Sequence, residues 1–500
     1  MFSKILIANR GEIAVRIARA CREMGIASVA IYSEADRTAP HVRAADEAVE
    51  VGPPPSRESY LNIEAILAAA RTTGADAIHP GYGFLAENAP FAAAVHNGGL
   101  TFIGPSAKAI AAMGDKTEAR ALVAAAGVPV LPALHNPPAD PAGLAASAQR
   151  LGFPLLIKAA AGGGGKGMRV VRDPDELPDA FAAAGREAEA AFGDGRLFIE
   201  RYLERPRHIE VQVLADAHDH IVHLGERECS VQRRHQKIVE ESPSPIVGPA
   251  LRERLTAAAI VAARSVGYTN AGTVEFLVSP EGEFYFLEMN TRLQVEHPVT
   301  EWVWGLDLVH EQVRVATGEP LRFRQDDLRP RGHAIECRVY AEDPAENFLP
   351  RPGRIVLLQE PQGPGVRVDS GIRADYEVPV HYDPMLAKLS VWDVDRDAAR
   401  RRMITALREY LVLGVTTSLP FLIDVLQHPA FAAGDTHTHF IEEHFPRWRH
   451  DGSQCELAAI AAALHTVLAA AATTGSAGVR AFAPTPWQTL GAWRLGQREP

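Results

Sequence analysis

Residues 283–301 read EFYFLEMNTRLQVEHPVTE and begin as a β-strand. Side chains alternate between the two faces of a strand, so Phe284, Phe286, Glu288 and Asn290 are predicted to share one face. The aromatic residues among them favour burial of that face. The stretch therefore predicts a buried strand that carries oxygen ligands beside aromatic rings.

A second alternating run, residues 273–278, precedes Pro-Glu-Gly at residues 280–282, and the two runs predict a β-hairpin. A turn centred on the last two of those residues places Glu275 opposite Glu288. Facing carboxylates repel each other, and a bound cation removes the repulsion. Asn290 adds a third hard oxygen, which predicts a magnesium site for a nucleotide. The alternative is a solvated acidic strand face, which the aromatic neighbours disfavour.

The composition is that of a globular protein with several domains. A chain of five hundred residues is too long for a single hydrophobic core. Of these residues 47% are apolar, and the net charge of −11 without a basic tract argues against nucleic acid as a partner. Four cysteines without CxxC spacing indicate a reducing compartment and neither disulfides nor zinc. No apolar run approaches ~18 residues, and a strand at residues 4–8 leaves no room for a targeting peptide. We expect a cytoplasmic protein that does not contact membranes.

Helical and strand patterns predict a mixed α/β and α+β architecture. Residues 1–115 open as strand, helix and strand, which indicates a βαβ domain with a parallel sheet, and no GxGxxG follows the first strand. Strands around a glycine loop predict a small lid domain over residues 116–203. Further strands predict a larger antiparallel-sheet domain over 204–446, and 447–500 contain an alanine-rich helix.

The glycine loop reads AGGGGKGM over residues 161–168 and joins two predicted strands. Glycines let backbone N–H groups approach phosphate oxygens closely. No Ser or Thr follows Lys166, so this is not a Walker A loop. A flap that closes over a nucleotide fits the pattern, and the alternative is a flexible hairpin tip. Lys158, at the end of the preceding strand, favours phosphate binding.

Lysine is rare in this chain, because only seven of the 51 basic residues are lysines. Where arginine dominates, the retained lysines are enriched at sites that need a compact ammonium group. Lys116, Lys158, Lys166 and Lys237 all lie beside candidate motifs. The basic segment 226–245 is by itself typical of a solvated face, but its lysine favours an anionic ligand.

Three polar residues spaced by two follow the hairpin: Arg292, Gln294 and Glu296. Together they can surround a small planar anion, which arginine can bind bidentately. Glu296 can act there as a general base. Arg338 shares a predicted strand face with Glu336, and in isolation such an arginine is usually an ion-pair partner.

Taken together, these segments resemble the ATP-grasp biotin carboxylases, the biotin-carboxylating components of acetyl-, propionyl- and 3-methylcrotonyl-CoA carboxylases. The resemblance covers residues 1–446, and its motifs occur in the family's order. They are ILIANRGEIAVRI (5–17), HPGYGFLAEN (79–88), MGDK (113–116), IKAAAGGGGKGMR (157–169), RPRHIEVQVL (205–214), ERECSVQRRHQK (226–237), GTVEF (272–276), EMNTRLQVEHPVTE (288–301) and RGHAIECRVYAEDP (331–344).

The resemblance implies an ATP-grasp fold and a ligase that converts ATP and bicarbonate to carboxyphosphate and carboxylates N1 of biotin. The residues implied to hold ATP are Lys116, Lys158, Glu200, His208, Gln232 and His235, with the flap residues Gly163, Gly164, Gly165, Lys166 and Gly167. The implied ligands of magnesium or manganese are Glu275, Glu288 and Asn290. Bicarbonate is implied to contact Lys237, Arg292, Gln294 and the Val295 backbone, with Glu296 as its base. Arg338 is implied to stabilise the biotin enolate, and Tyr82 to lie in the biotin pocket.

The implied partners are a biotin carboxyl carrier, a carboxyltransferase and a second copy in a homodimer. No Met-Lys-Met occurs and no lysine lies beyond Lys388, so we expect that this chain does not carry its own biotin. PWQTLGAWRLG (486–496) resembles the start of a domain that docks onto a carboxyltransferase. We expect a truncated α-subunit or one whose carrier is a separate chain.

Three alternatives remain. The biotin carboxylase part of pyruvate or urea carboxylase performs the same half-reaction. Another ATP-grasp ligase, of the carbamoyl-phosphate or purine pathways, shares the flap and metal residues but not the RLQVEHPVTE run. A catalytically silent ATP-binding scaffold is disfavoured by the presence of Lys237, Glu296 and Arg338.

Overall fold

The computed structural model describes residues 1–135, 137–138, 140–159, 168–234, 236–450, 460 and 464. The chain divides into two compact units after Trp448, and the first of them, Met1–Trp448, contains the sheets that build the fold. The flap, His235 and the predicted docking segment lie outside the described residues. Within the described part, no helix has both the length and the apolarity to cross a membrane.

The N-terminal part is a five-stranded parallel sheet of order β3-β2-β1-β4-β5, which confirms the predicted βαβ start. The first helix buries its apolar stripe, including Ile13, Ile17 and Cys21. Gly25 follows it with a φ of +69°, a conformation that favours glycine. The elements are β1 Lys4–Ile7, α1 Gly11–Glu23, β2 Ala27–Ser33, α2 Pro40–Ala44, β3 Glu47–Gly52, α3 Ile63–Thr73, β4 Ala77–His79, α4 Ala89–Asn97, β5 Thr101–Phe102 and α5 Ala107–Gly114.

A second, smaller sheet has four antiparallel strands in the order β6-β9-β7-β8. Its core contains Leu155, Ile157 and Ile199, which are fully buried against the helices α7 and α8 of the same part. The elements are α6 Lys116–Ala125, β6 Ala133–His135, α7 Pro141–Leu151, β7 Leu155–Ala159, β8 Arg169–Val171, α8 Leu177–Phe192 and β9 Leu197–Arg201.

The third part is an eight-stranded antiparallel sheet of order β14-β13-β10-β11-β12-β15-β22-β20. It confirms the predicted fold class, while the domain boundaries stay predictions. The elements are β10 Arg207–Ala215, β11 Ile221–Arg233, β12 Gln236–Ser242, α9 Pro249–Ser265, β13 Asn270–Val278, β14 Phe284–Asn290, α10 His297–Trp304, α11 Leu308–Ala316, β15 His333–Tyr340, β16 Glu342–Asp343, β17 Leu349–Pro350, β18 Gly353–Arg354, β19 Leu357–Gln359, β20 Val366–Ser370, β21 Glu377–Val378, β22 Met385–Asp393, α12 Arg396–Glu409, β23 Leu411–Leu413, α13 Leu419–Gln427, α14 Pro429–Ala432 and α15 Phe440–His444.

The β13–β14 hairpin pairs Glu275 with Glu288, as predicted. The predicted position of the turn is wrong by one residue. Phe276 pairs with Phe286, so the register shifts by one residue between this pair and the pair of Glu275 with Glu288. A β-bulge therefore absorbs one residue of β14 and restores the predicted opposition of the two carboxylates.

The same bulge makes the predicted common face of β14 wrong. Phe284 and Phe286 are buried in the core beneath the sheet. Glu288 and Asn290 instead face a cleft on the other side. An inserted residue inverts the alternation from that point on, so strict period-two analysis assigns the aromatic and polar residues to one face when they occupy two.

A buried carboxylate on β12 stabilises the large sheet. Glu241 accepts hydrogen bonds from Nε and Nη2 of Arg396, at 2.7 and 3.0 Å, and from Nε2 of His333 at 2.7 Å. Burial by itself would raise the pKa of Glu241, but His333 and Arg396 outweigh it and lower the pKa to about 2. The folded state therefore holds this carboxylate in its charged form.

Replacing Glu241 by glutamine is expected to destabilise the protein by about 3 kcal/mol, because the Arg396 guanidinium and the His333 ring lose the buried carboxylate that accepts their hydrogen bonds. The folded-state pKa lies below the unfolded value of about 4.3. The contribution is thus complete above about pH 5 and is lost as the pH falls towards 2. Urea unfolding of both proteins from pH 7 to 3 measures this. An effect no larger than that of Glu283→Gln, an exposed control, would contradict the assignment.

Candidate active site

A cleft of about 1090 Å³ lies where strands of the large sheet meet loops of the parallel sheet and strands of the small sheet. Most of the predicted site residues that the structure describes line it. They are Tyr82, Lys116, Lys158, Glu200, His208, Gln232, Lys237, Glu275, Glu288, Asn290, Arg292, Gln294, Val295 and Arg338. Glu296 is fully buried beside this wall, in contact with two of the lining residues.

Lys237, on β12, is the centre of the charged network. Its Nζ donates to Glu210, to Oε1 of Glu275 at 2.8 Å and to Oε1 of Glu296 at 2.6 Å. Burial would lower the pKa of this ammonium, but the three carboxylates outweigh burial and raise the pKa well above its usual value. One lysine thus holds a fixed positive charge between the predicted metal ligands and the predicted base.

Glu296, which precedes helix α10, lies between two cations. Besides the Lys237 contact, its Oε2 accepts from Nη2 of Arg338 at 2.9 Å. Burial would raise the pKa of Glu296, but Lys237 and Arg338 outweigh it and hold the pKa well below its usual range. The carboxylate is therefore ionised at neutral pH and can accept a proton.

Arg338, on β15, divides its guanidinium between two acids. Nε donates to Glu240 while Nη2 donates to Glu296. Burial raises the pKa of Glu240 to about 7, against the lowering effect of Arg338. Arg338 lines the cleft as well, so a single planar donor group joins the proton acceptor to the space available for a substrate.

Arg292 connects the predicted anion site to the predicted metal ligands. Its Nε donates to Glu87 at 2.9 Å, Nη1 to Oε1 of Gln294 at 3.0 Å and Nη2 to Oδ1 of Asn290 at 3.1 Å. Gln294 in turn donates to Glu275 at 3.1 Å. The alternate spacing of these residues in the sequence therefore brings their side chains into one cluster.

The donor set on β13 and β14 fits a hard divalent cation. Glu275 and Glu288 face each other, and the Asn290 amide lies 2.8 Å from Glu275 through Nδ2. Basic side chains lie beside both carboxylates: Nε2 of His208 is 2.9 Å from Glu275, and Nζ of Lys116 is 3.3 Å from Glu288. Two carboxylates and an amide oxygen on one rigid hairpin are the oxygen ligands that Mg²⁺ takes when it also binds substrate phosphates.

Towards the small sheet, the cleft contains an ion-paired group of basic residues. Lys158, on β7, pairs with Glu200, on β9, and Arg120 donates to the same carboxylate at 3.0 Å. Lys116 begins helix α6, next to its capping residue Asp115. Lys116 and Lys158 line the cleft, and their ammonium groups suit the phosphates of a nucleotide.

Sequence reasoning missed two further carboxylates of the network, Glu210 on Lys237 and Glu240 on Arg338. Glu210 had a usable signal, because His208, Glu210 and Gln212 alternate in a strand pattern and share a face. Glu240 had none, since its contact with Arg338 depends on the pairing of β12 with β15.

Three sequence families match successive parts of the chain. They are the biotin carboxylase N-terminal domain over residues 1–110, the carbamoyl-phosphate synthase L chain ATP binding domain over 115–324, and the biotin carboxylase C-terminal domain over 336–443.

Individual relatives match over nearly the same range. A pyruvate carboxylase subunit from Methanothermobacter thermautotrophicus is 56% identical over 444 residues, 89% of this chain and 90% of that protein. A biotin carboxylase of Nostoc is 54% identical over 88% of this chain and 99% of its own. The biotin carboxylase domain dimer of Hydrogenobacter thermophilus 2-oxoglutarate carboxylase, solved with MgADP, ADP and bicarbonate, is 46% identical with a TM-score of 0.86 and covers 90% of this chain and 99% of that one.

The fold and the cleft define an ATP-grasp enzyme, an ATP-dependent ligase. Within that class, the chain belongs to the biotin carboxylase family.

Proposed function

We propose that this protein carboxylates biotin on a carrier with bicarbonate and ATP, giving ADP, phosphate and carboxybiotin as the first half-reaction of an acyl-CoA carboxylase. The observation that carries the proposal is the group Lys237, Glu296 and Arg338, which joins the oxygen ligands of β13 and β14 to a proton acceptor in one cleft. A ligase that joins a phosphate donor to a small acid needs these parts together.

Bicarbonate binds among Lys237, Arg292, Gln294 and the Val295 backbone, and Glu296 removes its proton. Before substrate binds, two cations hold the pKa of Glu296 low. A bound anion shares those cations with Glu296 and so makes the carboxylate a stronger base. Deprotonated bicarbonate then attacks the terminal phosphate of ATP, which Lys116 and Lys158 hold. The bond to the bridging oxygen breaks, ADP leaves, and carboxyphosphate forms.

Carboxyphosphate decomposes to carbon dioxide and phosphate, and the carbon dioxide carboxylates N1 of biotin. The released phosphate takes the proton of N1, and Arg338, which lines the cleft, can stabilise the negative charge that then forms on the biotin ureido oxygen. Tyr82 lines the same cleft. His235 and the flap residues Gly163–Gly167 complete the nucleotide site in this proposal.

Magnesium or manganese, when bound by Glu275, Glu288 and Asn290, neutralises charge on the ATP phosphates. Replacing Glu288 by glutamine is expected to raise the Mg²⁺ concentration for half-maximal ADP release about tenfold, because one charged ligand is lost. A Mg²⁺ titration at saturating ATP measures it. Glu283→Gln, on the same hairpin but exposed, is the matched control, and equal Mg²⁺ dependence in the two variants would contradict the metal assignment.

The direct test is ADP release with ATP, Mg²⁺, bicarbonate and free biotin, leaving out bicarbonate or biotin in turn. We expect release to require bicarbonate and to rise with biotin. ADP release that is independent of bicarbonate would contradict the proposed function. Release that requires bicarbonate but ignores biotin at high concentration would contradict the proposed acceptor.

The final acceptor is proposed as an acyl-CoA, and a 2-oxo acid is the second candidate because a pyruvate carboxylase component is among the relatives. Both need a biotin carrier and a carboxyltransferase as partners. The two acceptors are distinguished by the kcat/KM for carboxylation of two biotin carriers with labelled bicarbonate, one from an acyl-CoA carboxylase and one from a pyruvate carboxylase. We further propose a homodimer, on the basis of the Hydrogenobacter thermophilus domain dimer.

A further inference from the structure

The loop that carries Gln294, Val295 and Glu296 is held from its buried side by two residues to which the proposed mechanism gives no role. Nδ1 of His297 lies 2.8 Å from the Gln294 carbonyl oxygen. Nζ of Lys388, on β22, donates to the Val295 carbonyl oxygen at 2.7 Å. His297 and Lys388 are buried, whereas Gln294 and Val295 line the cleft. Both carbonyls are therefore anchored on the side away from the cleft.

The anchored carbonyls fix the directions of the next two backbone N–H groups. A trans peptide unit is planar, with its C=O and N–H pointing in opposite directions. The only cis bonds among the described residues precede Pro154 and Pro243, so both peptides of this loop are trans. Holding the Gln294 carbonyl directs the Val295 N–H the opposite way. Holding the Val295 carbonyl does the same for the N–H of Glu296.

The chemistry of the His297 ring suits its role of holding the Gln294 carbonyl. A carbonyl only accepts, so the 2.8 Å contact requires the proton of the His297 ring on Nδ1. Burial lowers the pKa of His297 well below its usual range, which keeps the ring neutral. Its Nε2 has no hydrogen-bond partner among the described residues. Among the described residues, the His297 ring thus makes one hydrogen bond, the bond to the Gln294 carbonyl that orients the loop.

Lys388 lies behind the wall of the cleft, next to three residues that line it: Glu12, Tyr82 and Val295. Its side chain is fully buried, with Glu12 of helix α1 at 3.6 Å and the centre of the Tyr82 ring at 5.5 Å. Burial raises the pKa of Glu12 to about 7, against the lowering effect of Lys388. Glu12 can therefore take a proton if Lys388 is removed, and a neutral replacement need not leave a buried charge.

We propose that His297 and Lys388 are positioning residues that aim the Val295 and Glu296 amides at the bicarbonate anion. The inference rests on the proposed function, since it assigns a cause to the shape of the same anion site. Neither residue touches substrate. Each one acts through a backbone carbonyl, and the Gln294 carbonyl also accepts the His297 backbone N–H at 3.4 Å. Losing either side-chain donor loosens one peptide and weakens one amide contact with the anion.

The test compares Lys388→Met, His297→Ala and His297→Asn in the full chain. Asparagine carries an N–H donor the same number of bonds from the backbone as imidazole Nδ1, so it can preserve the anchor. In bicarbonate-dependent ADP release, we expect Lys388→Met and His297→Ala to raise the bicarbonate KM about tenfold, as for loss of one hydrogen bond to an anion. The ATP KM should stay within about twofold, and His297→Asn should restore most of the bicarbonate KM.

A bicarbonate KM that is unchanged in both variants would overturn the inference, as would ATP and bicarbonate KM values that rise together. Equal impairment of His297→Asn and His297→Ala would also overturn it. If Lys388→Met does not fold, as judged by thermal unfolding, the His297 pair decides by the same criteria. Wild-type release that ignores bicarbonate would overturn the proposed function with it, whereas a normal wild type with unaffected variants contradicts this inference alone.

Discussion

Replacing Glu296 by glutamine is expected to lower the rate of bicarbonate-dependent ADP release about a thousandfold, the size of effect expected for a lost general base. Glutamine keeps the shape of the side chain, but its single oxygen can accept from only one of Lys237 and Arg338, which contact different oxygens of Glu296. It accepts no proton at neutral pH, so bicarbonate keeps its proton. Single-turnover ADP release at saturating ATP and bicarbonate measures the chemical step directly.

Glu283→Gln, the exposed control, should leave the rate unchanged, because its carboxylate lies 3.8 Å from Arg254 at the surface. ATP binding to the Glu296 variant should also be close to that of wild type, since Glu296 contacts no predicted nucleotide residue in the described structure. A Glu296→Gln enzyme that keeps more than about a tenth of the wild-type rate would assign the proton to another acceptor. Glu275 is the next carboxylate on Lys237 and would be tested first.

The β13–β14 hairpin shows what sequence analysis can and cannot provide. The predicted opposition of Glu275 and Glu288 is confirmed, because a turn and two alternating runs define a local pairing. The predicted common face of Phe286 and Glu288 is wrong, because the bulge inserts one residue and inverts the alternation at a position that the sequence does not mark. Local pairings can thus be predicted, whereas irregularities within them depend on packing against the rest of the sheet.

The network around Lys237 could be predicted only in part. Its presence beside an anion site follows from the scarcity of lysine and from the resemblance to a family. Its bonds to Glu210, Glu275 and Glu296 join β12 to residues from three distant parts of the chain. Those contacts require the strand order of the large sheet, which no local pattern contains.

Lys388 is the clearest omission. The scarcity of lysine singles out positions beside a recognisable motif, and Lys388 has no such motif in its own strand. Its partner, the Val295 carbonyl, is brought to it by folding across 93 residues of chain. In a chain so poor in lysine, a lysine within an apolar strand pattern is itself a signal of a buried ion or a carbonyl anchor.

Replacing Arg338 by glutamine is expected to lower biotin carboxylation at least about a hundredfold, the effect of removing a donor that stabilises a developing oxyanion. Bicarbonate-dependent ATP cleavage without biotin should fall far less, because Glu296 keeps its contact with Lys237. Transfer of labelled bicarbonate to free biotin, measured beside ADP release, gives both rates from one reaction. ATP cleavage would then be uncoupled from carboxylation.

Two roles for Arg338 remain separable because it contacts both Glu296 and the cleft. If it acts on biotin, the ratio of carboxybiotin to ADP falls, and Arg338→Lys recovers only part of it, since an ammonium lacks the planar fork of the guanidinium. If it acts only by orienting Glu296, both rates fall together and the ratio stays at the wild-type value. An unchanged ratio would therefore contradict the biotin role and place Arg338 with Lys237 as a support of the base.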